Sequence, residues 1–328
     1  MKNFVFGLLT TIVGLIVAVG IMELYVRMMH TDGSNFDIEM WRYARELKQI
    51  SPIEGGGHEH VPGGSGTFMG VPVSINSVGW RDDEYPVEKK EGVPRIMMLG
   101  DSLAFGWGAP PEDVTSYRLE KLLNSEEGGR KYEVLNTGIG NTNTAMQTAV
   151  FLNKYYRYKP DIVVLNYFIN DAEITPKRRE SFFLENFYSA VFFGGRYDLL
   201  TRQFFGKTDW RTYYQDLYRD DQPGWTAAKQ ALQELSRYCE EQGIELVVVH
   251  YPELHELAPY PFQGVTDLLQ EESEKAGRPF LDLLPVVTAE EPTSLWVTPT
   301  DAHPNGKAAG LYAKELKKFL QEAFPDLI

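Results

Sequence analysis

The sequence predicts an α/β fold on a parallel central sheet, with a membrane-spanning helix before it and a helical insertion within it. Three observations predict this. From Pro94 onward, short apolar runs without alternation are separated by stretches of helical spacing, the pattern of strands covered on both faces. Phe4 to Met22 is nineteen residues without a charge. Between Ala172 and Gly224 the strand–helix rhythm stops and aromatic residues crowd the chain.

The uncharged run spans roughly 28 Å as a helix, close to the ~30 Å hydrocarbon core of a bilayer. It exceeds the usual ~7–15 residue core of a cleaved signal peptide. Ala18-Val19-Gly20 offers a small-residue cleavage site, but apolar residues continue past it, which favours an uncleaved signal anchor. Lys2 lies on one flank, Arg27 and His30 on the other. The simplest arrangement keeps the short tail inside and exports the large domain. This divides the chain into an anchor (1–30), a lead-in segment (31–93) and a catalytic domain (94–328) holding the 172–224 insertion.

In the lead-in, Phe36 to Lys48 has helical spacing at Phe36, Met40, Tyr43, Ala44 and Leu47. Gly55-Gly56-Gly57-His58-Glu59-His60 reads as a glycine-rich loop, and two histidines with one carboxylate there make a weak metal site. Val71 to Ile75 is a short strand before Asn76-Ser77-Val78-Gly79-Trp80-Arg81-Asp82. Strands are then expected at Arg95–Leu99, Tyr132–Leu135, Asp161–Tyr167, Glu245–His250 and Pro279–Leu283. Helices are expected at Val114–Leu123, Asn143–Tyr156, Thr226–Glu241, Val265–Lys275 and Asn305–Ala323. The insertion carries Phe182, Phe183, Phe187, Tyr188, Phe192, Phe193, Tyr197, Phe204, Phe205, Trp210, Tyr213, Tyr214 and Tyr218. It is a helical subdomain that can cap a site or lie on a bilayer.

At 328 residues the chain can bury a full core. The net charge of −14, with no basic run, excludes a nucleic-acid partner and disfavours polyanionic polymers as substrate. The single cysteine, Cys239, excludes an internal disulfide and reads as a small apolar filler on a helix.

Ser102, in Gly100-Asp101-Ser102-Leu103, follows the first strand of the sheet. In parallel sheets, chemistry collects beyond the carboxyl ends of the strands, where Gly138 and Asn170 also lie. A serine hydroxyl needs a base, and His303, just before the last helix, is the strongest candidate. Asp301, two residues earlier, can orient its imidazole. The backbone N–H of Ser102, the backbone N–H of Gly138 and the Asn170 side-chain amide can serve as oxyanion donors. His250, at a strand end, reads as packed, and His255 sits on the following loop. Gly138-Ile139-Gly140 lacks the third glycine of a dinucleotide fingerprint.

These blocks, Gly100-Asp101-Ser102-Leu103, Gly138, Asn170-Asp171 and Asp301 with His303, resemble the four blocks of the SGNH/GDSL hydrolase superfamily, in order, over Pro94 to the C-terminus. The resemblance implies a flavodoxin-like α/β/α sandwich, no metal or other cofactor, and acyl-ester chemistry on carbohydrates, lipids or small esters. It makes Ser102 nucleophile, His303 base, Asp301 its orienter, and Ser102, Gly138 and Asn170 oxyanion donors. Two positions depart from the family. One residue, Ala302, separates Asp301 from His303 where the family has two, leaving Thr300 at the usual aspartate position. Phe168 stands where the third block carries glycine. Asn76 to Arg81 also resembles a segment preceding the catalytic domain in some anchored members, with no catalytic role attached.

The leading expectation is a single-pass esterase or deacylase at the periplasmic or extracellular side of a bacterial inner membrane. An O-acyltransferase would use the same residues, pass the acyl group to an exported polysaccharide, and work beside a membrane-embedded acyltransferase partner. A non-catalytic envelope assembly subunit that keeps the fold is the third reading.

Overall fold

The computed structural model describes residues 2–30, 33–125, 131–175, 181–205 and 209–328. Helix α1 (Lys2–Met29) is the one described helix long and apolar enough to cross a membrane, with a mean hydropathy of 2.6. Its Glu23 and Val26 are buried against the insertion. Helix α2 (Phe36–Glu46) starts at Asn35, whose side chain accepts the Ile38 N–H, and it buries Ile38 and Tyr43. Two antiparallel hairpins follow: β1 (Lys48–Ile50) with β2 (His58–His60), and β3 (Ser65–Phe68) with β4 (Val71–Ser74).

Two of these elements differ from expectation. Helix α2 ends at Glu46, because Lys48 pairs with His60 instead of extending the helix. His58 to His60 is a strand, since Gly55 and Gly57, at φ 77° and 64°, turn the chain back onto β1. The first residues of the lead-in, 31 and 32, lie outside the described residues.

The α/β part is built on β5 (Arg95–Leu99), β6 (Glu133–Asn136), β7 (Ile162–Tyr167), β8 (Glu245–His250) and β9 (Phe280–Asp282). All four pairings are parallel, in the order β6-β5-β7-β8-β9. Every residue of β5 and β7 is buried, so their side chains alternate between two cores. Met97, Leu99, Val163 and Leu165 pack against α5 (Thr144–Asn153), α9 (Pro223–Gln242) and α10 (Gln263–Lys275). Ile96, Met98, Ile162 and Val164 pack against α4 (Thr115–Leu123) and α11 (Gly306–Ala323). The result is a flavodoxin-like α/β/α sandwich. The strand order reverses between β5 and β7, and the crevice at that switch point is where such sheets bind ligands.

Between β7 and α9 lie the insertion helices α6 (Phe182–Asn186), α7 (Tyr188–Phe205) and α8 (Trp210–Asp216). Of these, α6 and α7 lean on the chain's N-terminal helices, and α8 packs on Phe262. Glu23 of α1 accepts the N–H groups of Tyr188 and Ser189 at 3.0 and 2.9 Å, capping α7, and Trp41 Nε1 donates to the Leu184 carbonyl. The side chains of Phe183, Phe204 and Phe205 lie outside the described residues.

Candidate active site

Ser102 opens α3 (Ser102–Phe105), a single turn directly beyond β5. Asp101 caps it by accepting the Leu103 N–H at 2.9 Å. A helix leaves its first N–H groups without internal acceptors, so the Ser102 N–H faces outward from that turn. Ser102 Oγ lies 2.8 Å from His303 Nε2, and His303 Nδ1 lies 2.6 Å from Asp301 Oδ1. The carboxylate fixes the tautomer: Nδ1 donates to it, leaving the Nε2 lone pair for the Ser102 hydroxyl hydrogen.

The short Asp301–His303 spacing has a simple cause. Both residues lie on β11 (Asp301–Pro304), which pairs with β10 (Trp296–Thr298) in a hairpin before α11. Residues two apart on a strand share a face, so one intervening residue suffices. Asp301 also accepts the His303 N–H at 3.1 Å, and Oδ2 accepts Trp107 Nε1 at 3.1 Å. Burial pushes this carboxyl up, but hydrogen bonds and charge attraction from His303, with the Trp107 bond, hold it below its ordinary value.

Asn170 sits beyond β7, its Nδ2 donating to Asp101 Oδ2 at 3.1 Å, which leaves its second amide hydrogen for another acceptor. Behind it, Asp171 accepts from Thr144 Oγ1 and the Phe168 N–H. Burial pushes Asp101 and Asp171 above the usual carboxylate range. Gly138 is placed differently from expectation. Its N–H donates to Asn136 Oδ1 at 3.0 Å, so the Asx turn takes the hydrogen meant for an oxyanion. Its missing side chain admits α3 instead: a Cβ there would lie 2.3 Å from the Phe105 nitrogen.

Sequence reasoning passed over two aromatic neighbours. Trp107, 194 residues before its partner Asp301, supplies the indole donor just described. Phe36, opening α2, stacks on His303 with ring centroids 6.2 Å apart at 28°. Beside His303 opens a cleft of about 630 Å³, walled by Phe36, Phe168, Trp210, Tyr214 and His255 among others. Phe168, at the family's glycine position, is thus a wall of this cleft.

The two lead-in histidines are engaged within the chain. His60 Nδ1 donates to the Gly79 carbonyl at 2.9 Å, and its Nε2 accepts the Tyr43 hydroxyl at 2.6 Å. His58 Nε2 lies 3.2 Å from the Gly140 carbonyl. Burial lowers both, to about 3 for His60 and about 4 for His58. Among the described residues no three His, Cys, Asp or Glu side chains cluster as a metal site. His250 is fully buried, with Nδ1 3.1 Å from Asp282 Oδ1.

No family model matches this chain, and no curated protein does. Among solved structures, it is similar to a two-domain esterase active on acetylated mannans, at 17% identity and a TM-score of 0.45 over 70% of this chain. The match spans 49% of that protein, about half its length. A catalytic mutant of an acetylxylan esterase from Geobacillus stearothermophilus gives 15% identity and a TM-score of 0.46, covering 69% of this chain and 94% of the other. A G-D-S-L family protein from Desulfitobacterium hafniense gives 13% and 0.44, covering 69% and 99%.

Proposed function

We propose that the chain is a serine esterase of the SGNH/GDSL kind, removing O-acetyl or similar acyl groups from cell-envelope carbohydrate or lipid. One observation carries this reading: the unbroken hydrogen-bond chain from Ser102 Oγ through His303 to Asp301. Ser102 Oγ attacks the ester carbonyl carbon as His303 Nε2 takes its proton. The oxyanion meets the Ser102 N–H and the free Asn170 amide hydrogen; the Gly138 N–H joins only on release from Asn136. His303 returns the proton to the departing alcohol, leaving an acyl group on Ser102. Water, deprotonated by His303, then attacks the acyl carbon, and His303 returns that proton to Ser102 Oγ as the acid leaves. Asp301, held charged by its donors, stabilises the imidazolium in both halves.

The cleft volume falls in the ~300–1,000 Å³ range of small-molecule sites, and its aromatic walls suit sugar faces or acyl chains. Helix α1 would hold the enzyme in a bacterial inner membrane with the cleft on the periplasmic side. Carbonate extraction of membranes tests the anchor, which predicts that the chain stays in the pellet.

A fluorophosphonate probe tests the chemistry. It should label the wild type and not Ser102→Ala; a folded wild type that resists labelling would sink the reading. With an acetyl ester and added oligosaccharide, free acetate is expected. Acetylated sugar in its place would make the chain an acyltransferase, working with a membrane-embedded acyl donor.

A further inference from the structure

The proposed chemistry leaves one buried cation of the lead-in unused. Arg81 is 8% exposed, and its hydrogen bonds all go to backbone carbonyls. Nη1 donates to Phe105 at 3.1 Å and to Gly106 at 2.6 Å, and Nη2 donates to Ala109 at 2.7 Å. The guanidinium carbon also sits 5.1 Å from the centre of the Phe105 ring. Burial lowers Arg81 to about 10, which still leaves it a cation at neutral pH.

Two of those carbonyls need such a partner. Helix α3 is one turn long: the Gly106 and Trp107 N–H groups close on its Ser102 and Leu103 carbonyls, and the Ala109 N–H reaches the Gly106 carbonyl at 3.2 Å, so the Phe105 and Ala109 carbonyls are the ones that rely on Arg81. Gly106 and Gly108, at φ 78° and 71°, then turn the chain so that the oxygens of 105, 106 and 109 converge. A planar fork of fixed donors fits three converging oxygens better than a point charge or a neutral amide does.

The same segment touches the hairpin of His303 at two places. Near its start, Ser102 Oγ meets His303 Nε2 at 2.8 Å. Five residues on, Trp107 Nε1 meets Asp301 Oδ2 at 3.1 Å. A small slide of the 102–109 segment would break both bonds together.

We propose that Arg81 is a positioning residue whose guanidinium fixes the 102–109 backbone, so that Ser102 and Trp107 meet the His303–Asp301 hairpin in register. This rests on the esterase reading above. Misplacing reacting groups by about 1 Å costs about 10²-fold in rate, which sets the expected scale.

The test uses the full chain, p-nitrophenyl acetate and the fluorophosphonate probe. Arg81→Lys keeps the charge without the fork, and Arg81→Gln keeps one donor group without the charge. The control is Arg95→Lys, a second buried arginine, bonded to Glu133 and to the Tyr158 carbonyl near the other end of the sheet. Arg81→Lys should lower kcat and the labelling rate together by about 30–100-fold, with KM within about twofold, and Arg81→Gln should lower them further. Arg95→Lys should lose thermal stability while keeping kcat. Guanidinium ion added to Arg81→Ala should restore part of the labelling rate in a saturable manner. An Arg81→Lys or folded Arg81→Gln enzyme with wild-type kcat would overturn the proposal. So would a kcat loss that only tracks melting temperature across all variants, Arg95→Lys included. A wild type that neither labels nor hydrolyses ester would instead remove the esterase reading.

Discussion

The lead-in and the insertion both flank the α/β sandwich, yet they meet the site in different ways. Apart from Phe36, which stacks on His303 and walls the cleft, the lead-in works through polar bonds to backbone. Tyr43 Oη accepts the Gly140 N–H at 3.0 Å, and Asp82 Oδ2 accepts the Asn136 N–H at 2.7 Å. Lys48 Nζ donates to the Gly140 carbonyl at 3.0 Å. Most of the insertion works through rings: Trp210 and Tyr214 wall the cleft and pack their rings on Phe262. Tyr218, at its end, is the exception, donating to the Ile169 carbonyl beside Asn170 at 3.0 Å. The difference teaches a division of labour: the lead-in holds the loops that carry the reacting atoms, and the insertion shapes what reaches them.

That comparison is open to measurement. The largest effect is expected from Tyr43→Ala, which empties a fully buried site and strands the Gly140 N–H. Urea denaturation should show a loss of about 3–5 kcal/mol, the usual cost of deleting a large buried ring. Trp210→Ala, at a position 38% exposed, should leave folding nearly intact and raise KM about tenfold with kcat unchanged. If Trp210→Ala lowers kcat and leaves KM alone, the two regions do not divide the work in this way.

The lead-in should also contribute to the pH dependence. Burial raises Asp82 to about 7, against the hydrogen bonds it accepts, while the unfolded value is about 3.9. Its contribution is therefore complete below about 3.9 and lost as pH rises to about 7. His60, lowered to about 3 from about 6.5 unfolded, behaves oppositely and loses stability as pH falls below about 6.5. The stability deficit of Asp82→Asn should thus narrow from pH 4 to 7, and that of His60→Gln should narrow in the reverse direction. Denaturation midpoints across that range check both signs. The smallest effect is expected in the insertion, where Arg211 pairs with Glu256 at the surface. Arg211→Gln should leave the denaturation midpoint unchanged, since exposed pairs contribute little.

Much of the sandwich was legible because buried parallel strands are continuous apolar runs: Arg95–Leu99 and Glu245–His250 have the limits their sequence suggests. The hairpins were not. A three-residue strand of His58, Glu59 and His60 has no apolar signature, and its pairing depends on two glycine turns. The expected helix at Asn143–Tyr156 stops at Asn153 and tightens into a 3₁₀ turn over Tyr155–Tyr158. Of the candidate site residues, Ser102 and Asn170 were chosen for their positions at strand ends, and His303 with Asp301 for their place before the last helix. Trp107, Phe36 and Arg81 could not be picked out, because their importance lies in neighbours distant in sequence. Gly138 was singled out as an oxyanion donor, but its N–H is engaged by Asn136 and its missing side chain admits α3.

The Glu23 cap on α7 has a mechanical consequence. A catalytic head on a slack tether would swing through many bearings above a membrane. Here the helix proposed to cross the bilayer is bolted, through one carboxylate, to α7, which packs on α2, whose Phe36 walls the cleft. The mouth of the cleft then keeps one compass bearing relative to α1. Substrates presented at that bearing would be favoured over identical esters free in solution, so selectivity would come from aim as well as from fit.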